Sequence, residues 1–138
     1  MKFKQGWYKL LNPDKFLEPR NKFMKSYKFI DGNKFVNYKS SLELKAFQYL
    51  DKSEKIFNWS LEPIGIPYTF NGKKHRYFPD LFVNNSIYIE LKPYYLTQYP
   101  KNERQIPGYL KNLSKWEAMQ NFCTENNFIF IILTEKSF

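Results

Sequence analysis

The chain has 138 residues, of which 43% are hydrophobic and 25% charged, and its formal net charge is +9. This size and balance predict one soluble globular domain with a single core. The longest apolar run, Phe128 to Leu133, is too short to span a membrane, and no signal-peptide core is evident, so we expect a protein that is not secreted. The single cysteine, Cys123, excludes an intrachain disulfide and a cysteine-based zinc site, and we expect it to fill the core.

Residues 1–36 are interpreted as a basic, aromatic-rich N-terminal arm that precedes a domain at residues 37–138. Residues 1–45 hold 11 Lys or Arg against 4 Asp or Glu, whereas the rest of the chain is nearly balanced. Cations interleaved with aromatic rings are typical of segments that contact phosphates and stack on bases. A Lys-rich compositional bias would give the same pattern, so charge alone leaves nucleic-acid binding open. A short strand is predicted around Lys25 to Ile30.

The first helix is predicted from about Ser41 to Lys52. Ser40, followed three positions later by Glu43, forms a capping box that marks the N-terminus of a helix. The spacing also places Glu43 on the apolar face of this helix. Two interpretations remain open. Glu43 only caps the helix, or its carboxylate is a ligand in a metal site, because a buried acid without a partner is costly.

A pattern of alternating apolar residues followed by a turn predicts two strands between residues 64 and 83. Residues 64–70 alternate between apolar and other residues, Asn71-Gly72 is a two-residue hairpin turn, and Lys73 to Val83 is the returning strand. His75 is the only histidine, so it cannot form a histidine cluster by itself. It either contacts a phosphate or a water near the site described below, or it has a structural role.

The most informative stretch begins at His75 and contains two apolar runs around an Asn-Asn-Ser break, which predicts a tight β-hairpin. The apolar pattern fixes its register. If Val83 faces Ile87, then Leu81 faces Ile89, and these side chains share one apolar face.

The same register brings together two carboxylates and an ammonium group, with Asp80 opposite Glu90 and Lys92 two positions further along that face. Two close carboxylates repel each other, and a hard divalent cation such as Mg²⁺ removes the conflict. The lysine would then orient a water or balance charge on a phosphate. The alternative is a surface salt bridge between Glu90 and Lys92, with Asp80 as a turn residue.

The C-terminal third predicts a loop, a helix and a strand. Tyr94 to Gly108 is polar and indicates a long loop, and the apolar stripe that follows predicts a helix from Leu110 to about Glu125. Phe128 to Thr134 is continuously apolar and predicts a strand buried on both faces at the sheet centre. The predicted fold is therefore α/β, an αβββαβ core with a mixed four-stranded sheet flanked by helices.

The spacing x-x-Pro-Asp … Glu-x-Lys resembles the PD-(D/E)XK nuclease superfamily, whose restriction-endonuclease-like core has the same element order. A closer resemblance, colinear over about residues 37–136, is to the head completion nucleases of T-even-like bacteriophages. TnsA-type transposon endonucleases and phage junction resolvases share this core. The stretches that carry the closer resemblance include Lys74 to Asp80, Ile89 to Pro93 and Lys115 to Ala118.

The resemblance implies a Mg²⁺-dependent DNA endonuclease, with Mn²⁺ as a substitute ion, that acts when a newly filled capsid is finished. It implies that Glu43, Asp80 and Glu90 are the acidic triad and that Lys92 is the catalytic lysine. Our hypothesis is that Asp80 and Glu90, with the backbone carbonyl of Leu91, hold one Mg²⁺. Glu43 would contact this ion through water or hold a second one.

We expect DNA contacts from five side chains: Lys39, Lys74, His75, Arg76 and Lys115. Because residues 94–108 contain only two cations, we expect the N-terminal arm to contribute more of the grip on DNA. The expected partners are double-stranded DNA and phage capsid, portal or terminase proteins, a homodimer is plausible, and no membrane is involved. The expected location is the host cytoplasm during phage assembly or the virion.

Three other functions remain open. A recombination-type nuclease, which cuts transposon ends or Holliday junctions, would present the same core. A virion or packaging protein could bind DNA ends without cutting them, although clustered acids would not help such a binder. An RNA-binding module fits the charge, but no aromatic RNA-binding motif supports it.

Overall fold

The computed structural model describes residues 25–28, 35–61 and 64–138. The predicted arm at residues 1–36 lies mostly outside this part of the chain. No helix in the described ranges combines the length and the hydropathy that a membrane span requires. In chain order the elements are β1 (Lys25–Lys28), β2 (Phe35–Tyr38), α1 (Ser41–Lys52), β3 (Trp59–Leu61), β4 (Ile66–Phe70), β5 (Lys73–Tyr77), β6 (Leu81–Val83), β7 (Ile87–Leu91), α2 (Ile106–Asn126) and β8 (Ile129–Leu133).

The central element is a four-stranded sheet with the order β3-β6-β7-β8. The β3–β6 and β6–β7 pairs are antiparallel, whereas β7 and β8 are parallel. The predicted α/β fold with a mixed four-stranded sheet and flanking helices is therefore confirmed. Strands β1 and β2 form a separate antiparallel ribbon, in agreement with the short strand predicted near Lys25.

The strand predicted from Lys73 to Val83 is wrong in one respect, because it is two strands in two sheets. Among the described residues, strand β5 pairs only with β4, in a two-stranded hairpin, and β6 pairs with β3 and β7. Phe78, Pro79 and Asp80 separate β5 from β6. Proline has no N–H to give to a ladder, which makes this break a natural place for the chain to change sheets.

The predicted register of the β6–β7 hairpin is confirmed, since Leu81 pairs with Ile89 and Val83 with Ile87. The turn that joins the strands uses Asn84 with a φ of 52°, a left-handed conformation that asparagine tolerates. The Asn84 side chain accepts a hydrogen bond from Phe57 N at 2.8 Å and donates one to Lys55 O at 2.9 Å. This turn is thus tied to the segment between α1 and β3.

Two hydrophobic layers cover the two faces of the sheet. One layer joins α1 to alternate residues of the hairpin, among them Leu81, Ile89 and Leu91. The other joins the intervening residues, Phe82 and Tyr88, to α2 and to the β4–β5 hairpin. Because side chains alternate along a strand, β7 directs Leu91 toward α1 and Glu90 toward α2.

Helix α1 spans the predicted residues, and its predicted N-cap is present, but the capping box is incomplete because the Glu43 carboxylate accepts a hydrogen bond from Lys39 N rather than from Ser40 N. The Ser40 hydroxyl accepts a hydrogen bond from Glu43 N at 3.2 Å. Cys123 is fully buried on α2, which confirms its predicted place in the core, and burial raises the pKa of its thiol to about 11.

Two predictions for the C-terminal third are wrong. Helix α2 begins at Ile106 rather than Leu110, and Pro107 lies in its first turn, where proline is tolerated because those N–H groups have no partner within the helix. Strand β8 lies at the edge of the sheet, not at its centre. Ile129 and Ile131 are accordingly 56% and 37% exposed.

Candidate active site

Three side chains predicted to act together meet at the end of the β6–β7 hairpin, far from its turn. Asp80 directly precedes β6, Glu90 lies in β7 and is only 6% exposed, and Lys92 follows β7. Lys92 Nζ lies 3.3 Å from Glu90 Oε2. Asp80 Oδ2 accepts a hydrogen bond from Leu91 N at 2.6 Å. The hairpin therefore holds both acids and the lysine through short contacts to β7.

The two acids are strongly coupled. Burial, and then the negative charge of Glu90, raise the pKa of Asp80 from an ordinary 3.8 to about 8, although the hydrogen bond from Leu91 N acts in the opposite direction. A hydrogen bond with Glu90 also favours the protonated form of Asp80. A divalent cation could replace this shared proton, because carboxylate oxygens are the ligands that Mg²⁺ prefers. The donor set and its electrostatics therefore fit such an ion.

Tyr77, at the end of β5, is a member of the site that the sequence did not reveal. Its hydroxyl donates a hydrogen bond to Glu90 Oε1 at 2.6 Å, and the ring is buried. Burial and the negative charge of Glu90 both raise the pKa of this hydroxyl, so it remains a donor. No signal in the sequence predicts the contact, because it joins strands of two different sheets. Glu90 thus contacts Tyr77 through one oxygen and Lys92 through the other.

Glu43 does not form a three-acid group with Asp80 and Glu90 in the described part of the chain. Its Oε1 accepts a hydrogen bond from Lys39 N at 2.6 Å, and it lines a cleft of about 470 Å³ that also borders Leu91. Across the described residues, no three His, Cys, Asp or Glu side chains are placed to hold one ion. The reason is the alternation of β7: α1 packs on the face of the sheet that carries Leu91, not on the face that carries Glu90.

The negative charge of Glu43 nevertheless contributes, as the smallest cause, to the raised pKa of Asp80. A role for Glu43 in metal binding stays a prediction.

The five predicted DNA contacts lie in three places. Lys39 is exposed beside Glu43, Lys74 and Arg76 are exposed on β5, and the His75 ring stacks on Tyr68 with the centroids 5.3 Å apart. This stacking favours the structural interpretation of His75.

The fifth predicted contact, Lys115, is half-buried on α2. Burial, and then the positive charge of Lys92, lower the pKa of Lys115, while the charges of Glu90 and Asp80 raise it. The charges of the acidic pair thus act on this lysine, and all five DNA contacts stay predictions.

The polar stretch predicted as one loop contains more structure than expected. It forms two short 3₁₀ helices, Tyr94–Thr97 and Glu103–Gln105, before α2 begins. Together with the first turns of α2 they enclose a second cleft of about 380 Å³, which Lys115 also lines. The sequence did not reveal this cleft, because Gly108 and Tyr109, which line it, lie in the part of α2 that was not predicted to be helical.

A small α/β domain with one buried acid, one half-buried acid and a lysine at the end of a β-hairpin is the arrangement expected of a nuclease. Comparison with known proteins gives the family. Residues 53–135 match the TnsA-like endonuclease N-terminal domain, and the chain belongs to this family. The match includes Asp80, Glu90 and Lys92, and it excludes α1 with Glu43.

The chain is also 34% identical over 120 residues to the Head completion nuclease of Enterobacteria phage T4. The alignment covers 74% of this chain and 80% of that relative. The resemblance stated from the sequence is confirmed by both findings, and so is the assignment of the chain to endonucleases.

Proposed function

We propose that this protein is a divalent-cation-dependent DNA endonuclease that acts in the completion of a phage head. The observation that carries the proposal is the pair of Asp80, which is half-buried, and Glu90, which is buried, with Lys92 Nζ 3.3 Å from Glu90 Oε2. Membership in an endonuclease family supports the reaction, and the similarity to a head completion nuclease supports its place in phage assembly.

In this proposal Asp80 and Glu90 hold Mg²⁺, and Mn²⁺ can substitute. When bound, the ion stabilises negative charge on the scissile phosphate and lowers the pKa of a water molecule. Glu43 would add a contact through water or hold a second ion. The raised pKa of Asp80 supports this arrangement, because a site that favours an extra proton also favours a cation in its place.

Lys92 has two chemical tasks open to it. Its ammonium group, fixed next to Glu90, can orient the attacking water in line with the leaving oxygen, and it can offset the charge that develops on the phosphate. Tyr77 supports both tasks indirectly. By donating to Glu90 Oε1, it holds the carboxylate in one orientation, as the outer partners of metal ligands do.

The acidic pair is tested by plasmid nicking. Supercoiled DNA is incubated with the protein in Mg²⁺, in Mn²⁺ and in EDTA, and nicked and linear products are measured on gels. We expect cleavage with either ion and none in EDTA, and a loss of at least about a hundredfold in Asp80→Asn and Glu90→Gln. Glu117→Gln, an exposed acid on α2, is the matched control and should cleave normally. Undiminished nicking by Asp80→Asn would rule out this site.

A recombination-type nuclease is the second candidate, because the matching family is named for a TnsA-like endonuclease. Linear, nicked and four-way-junction substrates offered at equal concentration separate the two. A junction resolvase should prefer the four-way junction, whereas no such preference is expected of a head completion nuclease. Binding to DNA without cleavage of any substrate, with or without metal, would instead favour a packaging protein that does not cut.

The partners proposed beyond double-stranded DNA are capsid, portal or terminase proteins and a second copy of the chain. A head completion role requires contact with the filled capsid, and coordinated cleavage of both strands would require two active sites. Co-sedimentation with filled and empty heads tests the first requirement. Analytical ultracentrifugation with and without a duplex tests the second.

A further inference from the structure

The second cleft has the composition of a nucleotide site. Its basic side chains are Arg104, Lys111 and Lys115, and none of the residues that line it is acidic. Two tyrosines, Tyr95 and Tyr109, and the amide side chains of three Gln and Asn residues complete its walls. Cations bind phosphates, aromatic rings stack on bases, and amides can hydrogen-bond to the edges of bases.

The exposure of Tyr95 shows that this cleft is open to solvent and is not part of the hydrophobic core. Tyr95 is 65% exposed, so most of its ring is open to a ligand. A cavity of about 380 Å³ is within the range of sites for small ligands. Contact with the backbone of a continuous duplex would need surface cations, but it would need neither a cavity nor an open ring. The cleft therefore suits a base that has left the double helix.

Gly108 supplies a separate observation. It lies in the first turn of α2 and lines the cleft, and a Cβ built on it would meet no heavy atom within 4 Å. Glycine lowers the stability of a helix relative to alanine. Internal packing therefore does not require a glycine here, and its missing side chain leaves the cleft open.

The cleft lies on the side of the sheet to which β7 directs Glu90, because Lys115, which lines it, precedes Trp116 on α2, and Trp116 packs in the same core layer as Tyr77. Lys115 lines the cleft, and the charges of Lys92, Glu90 and Asp80 all act on its ammonium group. Lys111 lies one helical turn before Lys115, on the same face of α2. A nucleotide in the cleft would therefore lie on the same side of the sheet as the acids.

We propose that the cleft between the 3₁₀ segments and the start of α2 binds an unpaired nucleotide of the DNA. The preferred substrate is then DNA with a single-stranded segment, such as an overhang or a frayed end, rather than continuous duplex. This inference rests on the proposed nuclease function, which makes DNA the ligand. The binding itself does not depend on cleavage.

The first test measures binding without metal. Fluorescence anisotropy in EDTA compares a short fluorescein-labelled oligothymidylate with a blunt duplex of the same length. Tyr95→Ala should weaken oligothymidylate binding about tenfold, because one stacked base is lost, and Tyr95→Phe should bind normally. Gly108→Met should weaken binding at least as much by filling the cleft, and Gly108→Ala is its matched control. Thermal unfolding checks that each variant is folded.

The second test locates the base. An oligonucleotide that contains 5-iodouracil is crosslinked to the protein by ultraviolet light, and the modified peptides are identified by mass spectrometry. We expect crosslinks at Tyr95 or Tyr109, and their loss in Gly108→Met. Crosslinks confined to other parts of the chain would overturn the proposal.

The third test separates this inference from the nuclease function. Asp80→Asn should lose cleavage and keep oligothymidylate binding, whereas Gly108→Met should lose oligothymidylate binding and the preference for overhangs over continuous duplex. Equal losses of duplex and oligothymidylate binding in Gly108→Met would indicate ordinary backbone contact and overturn the inference. Normal DNA binding by both Gly108→Met and Tyr95→Ala would also overturn it, and would leave the cleft to a protein partner.

Discussion

The hydroxyl of Tyr77 donates a 2.6 Å hydrogen bond to Glu90 Oε1, and this bond joins the β4–β5 hairpin to the acidic pair. The two residues lie in different sheets and are both buried. Since the other carboxylate oxygen of Glu90 contacts Lys92, the orientation of this acid depends on both neighbours. The β4–β5 hairpin is therefore part of the site, although it contains none of its acids.

Tyr77→Phe should raise the Mg²⁺ concentration needed for half-maximal cleavage. Loss of an outer partner of a metal ligand typically costs about 10- to 100-fold in metal affinity. The measurement is the rate of plasmid nicking over a series of Mg²⁺ concentrations. Tyr68→Phe is the control, because Tyr68 is buried in the same layer and stacks on His75. An unchanged Mg²⁺ dependence in Tyr77→Phe would show that this bond does not position Glu90.

The stability of the metal-free protein should fall as the pH rises from about 4 to 8. The pKa of Asp80 is raised in the folded protein, from 3.8 to about 8, so the folded state binds the extra proton in this interval and the unfolded state does not. The contribution is complete below pH 4 and is lost as the pH approaches 8. The slope from one such group is at most about 1.4 kcal/mol per pH unit.

Urea unfolding in EDTA across this range measures that dependence. Asp80→Asn should remove most of the slope, because an amide does not titrate. Mg²⁺ should restore stability to the wild-type protein more at pH 8 than at pH 5, since protons compete with the ion at lower pH. A wild-type slope equal to that of Asp80→Asn would contradict the coupled acidic pair.

Lys92→Met should lower the rate of cleavage by at least about a hundredfold, the lower range for a group that moves or orients a proton. Stabilisation by Mg²⁺ should persist, because Asp80 and Glu90 are retained. Single-turnover cleavage and thermal unfolding with Mg²⁺ give the two readouts. Lys74→Met, an exposed lysine on β5, controls for the loss of one positive charge. Equal effects of the two substitutions would show that Lys92 contributes only its positive charge and has no specific role in catalysis.

Glu43→Gln should lower cleavage at least about tenfold if the carboxylate assists the ion, with little change in stability, because an amide oxygen can still accept the hydrogen bond from Lys39 N. Ser40→Ala is the complementary variant. It removes the helix cap, costs about 1 kcal/mol and should leave the acids in place. Plasmid nicking and urea unfolding of both variants separate the two roles. Normal cleavage by Glu43→Gln would leave Glu43 with only its structural role.

The sequence predicted the hairpin and its acids because strand periodicity is a local property. Leu81, Val83, Ile87 and Ile89 must share one face, and this requirement alone sets the register that brings Asp80 to Glu90. The cap of α1 was equally local, since Ser40 and Glu43 are three residues apart.

Predictions that depended on tertiary structure failed. The apolar run in β8 is compatible with a central strand and with an edge strand. The exposure of Ile129 shows that β8 is an edge strand. Pro107 and Gly108 suggested a loop although both residues fit the first turn of a helix. The contact of Tyr77 with Glu90 joins two sheets, so neither periodicity nor spacing in the sequence could reveal it.

Asn84 lies at the opposite end of the hairpin from the acids, yet the identity of the side chain that emerges beside Asp80 depends on it. Its hydrogen bonds with Phe57 N and Lys55 O hold the turn in place. A shift of one residue in the register of the hairpin would place Leu91 instead of Glu90 on the α2 side. A library of random substitutions should therefore return inactive clones at this remote asparagine, although it has no chemical part in cutting.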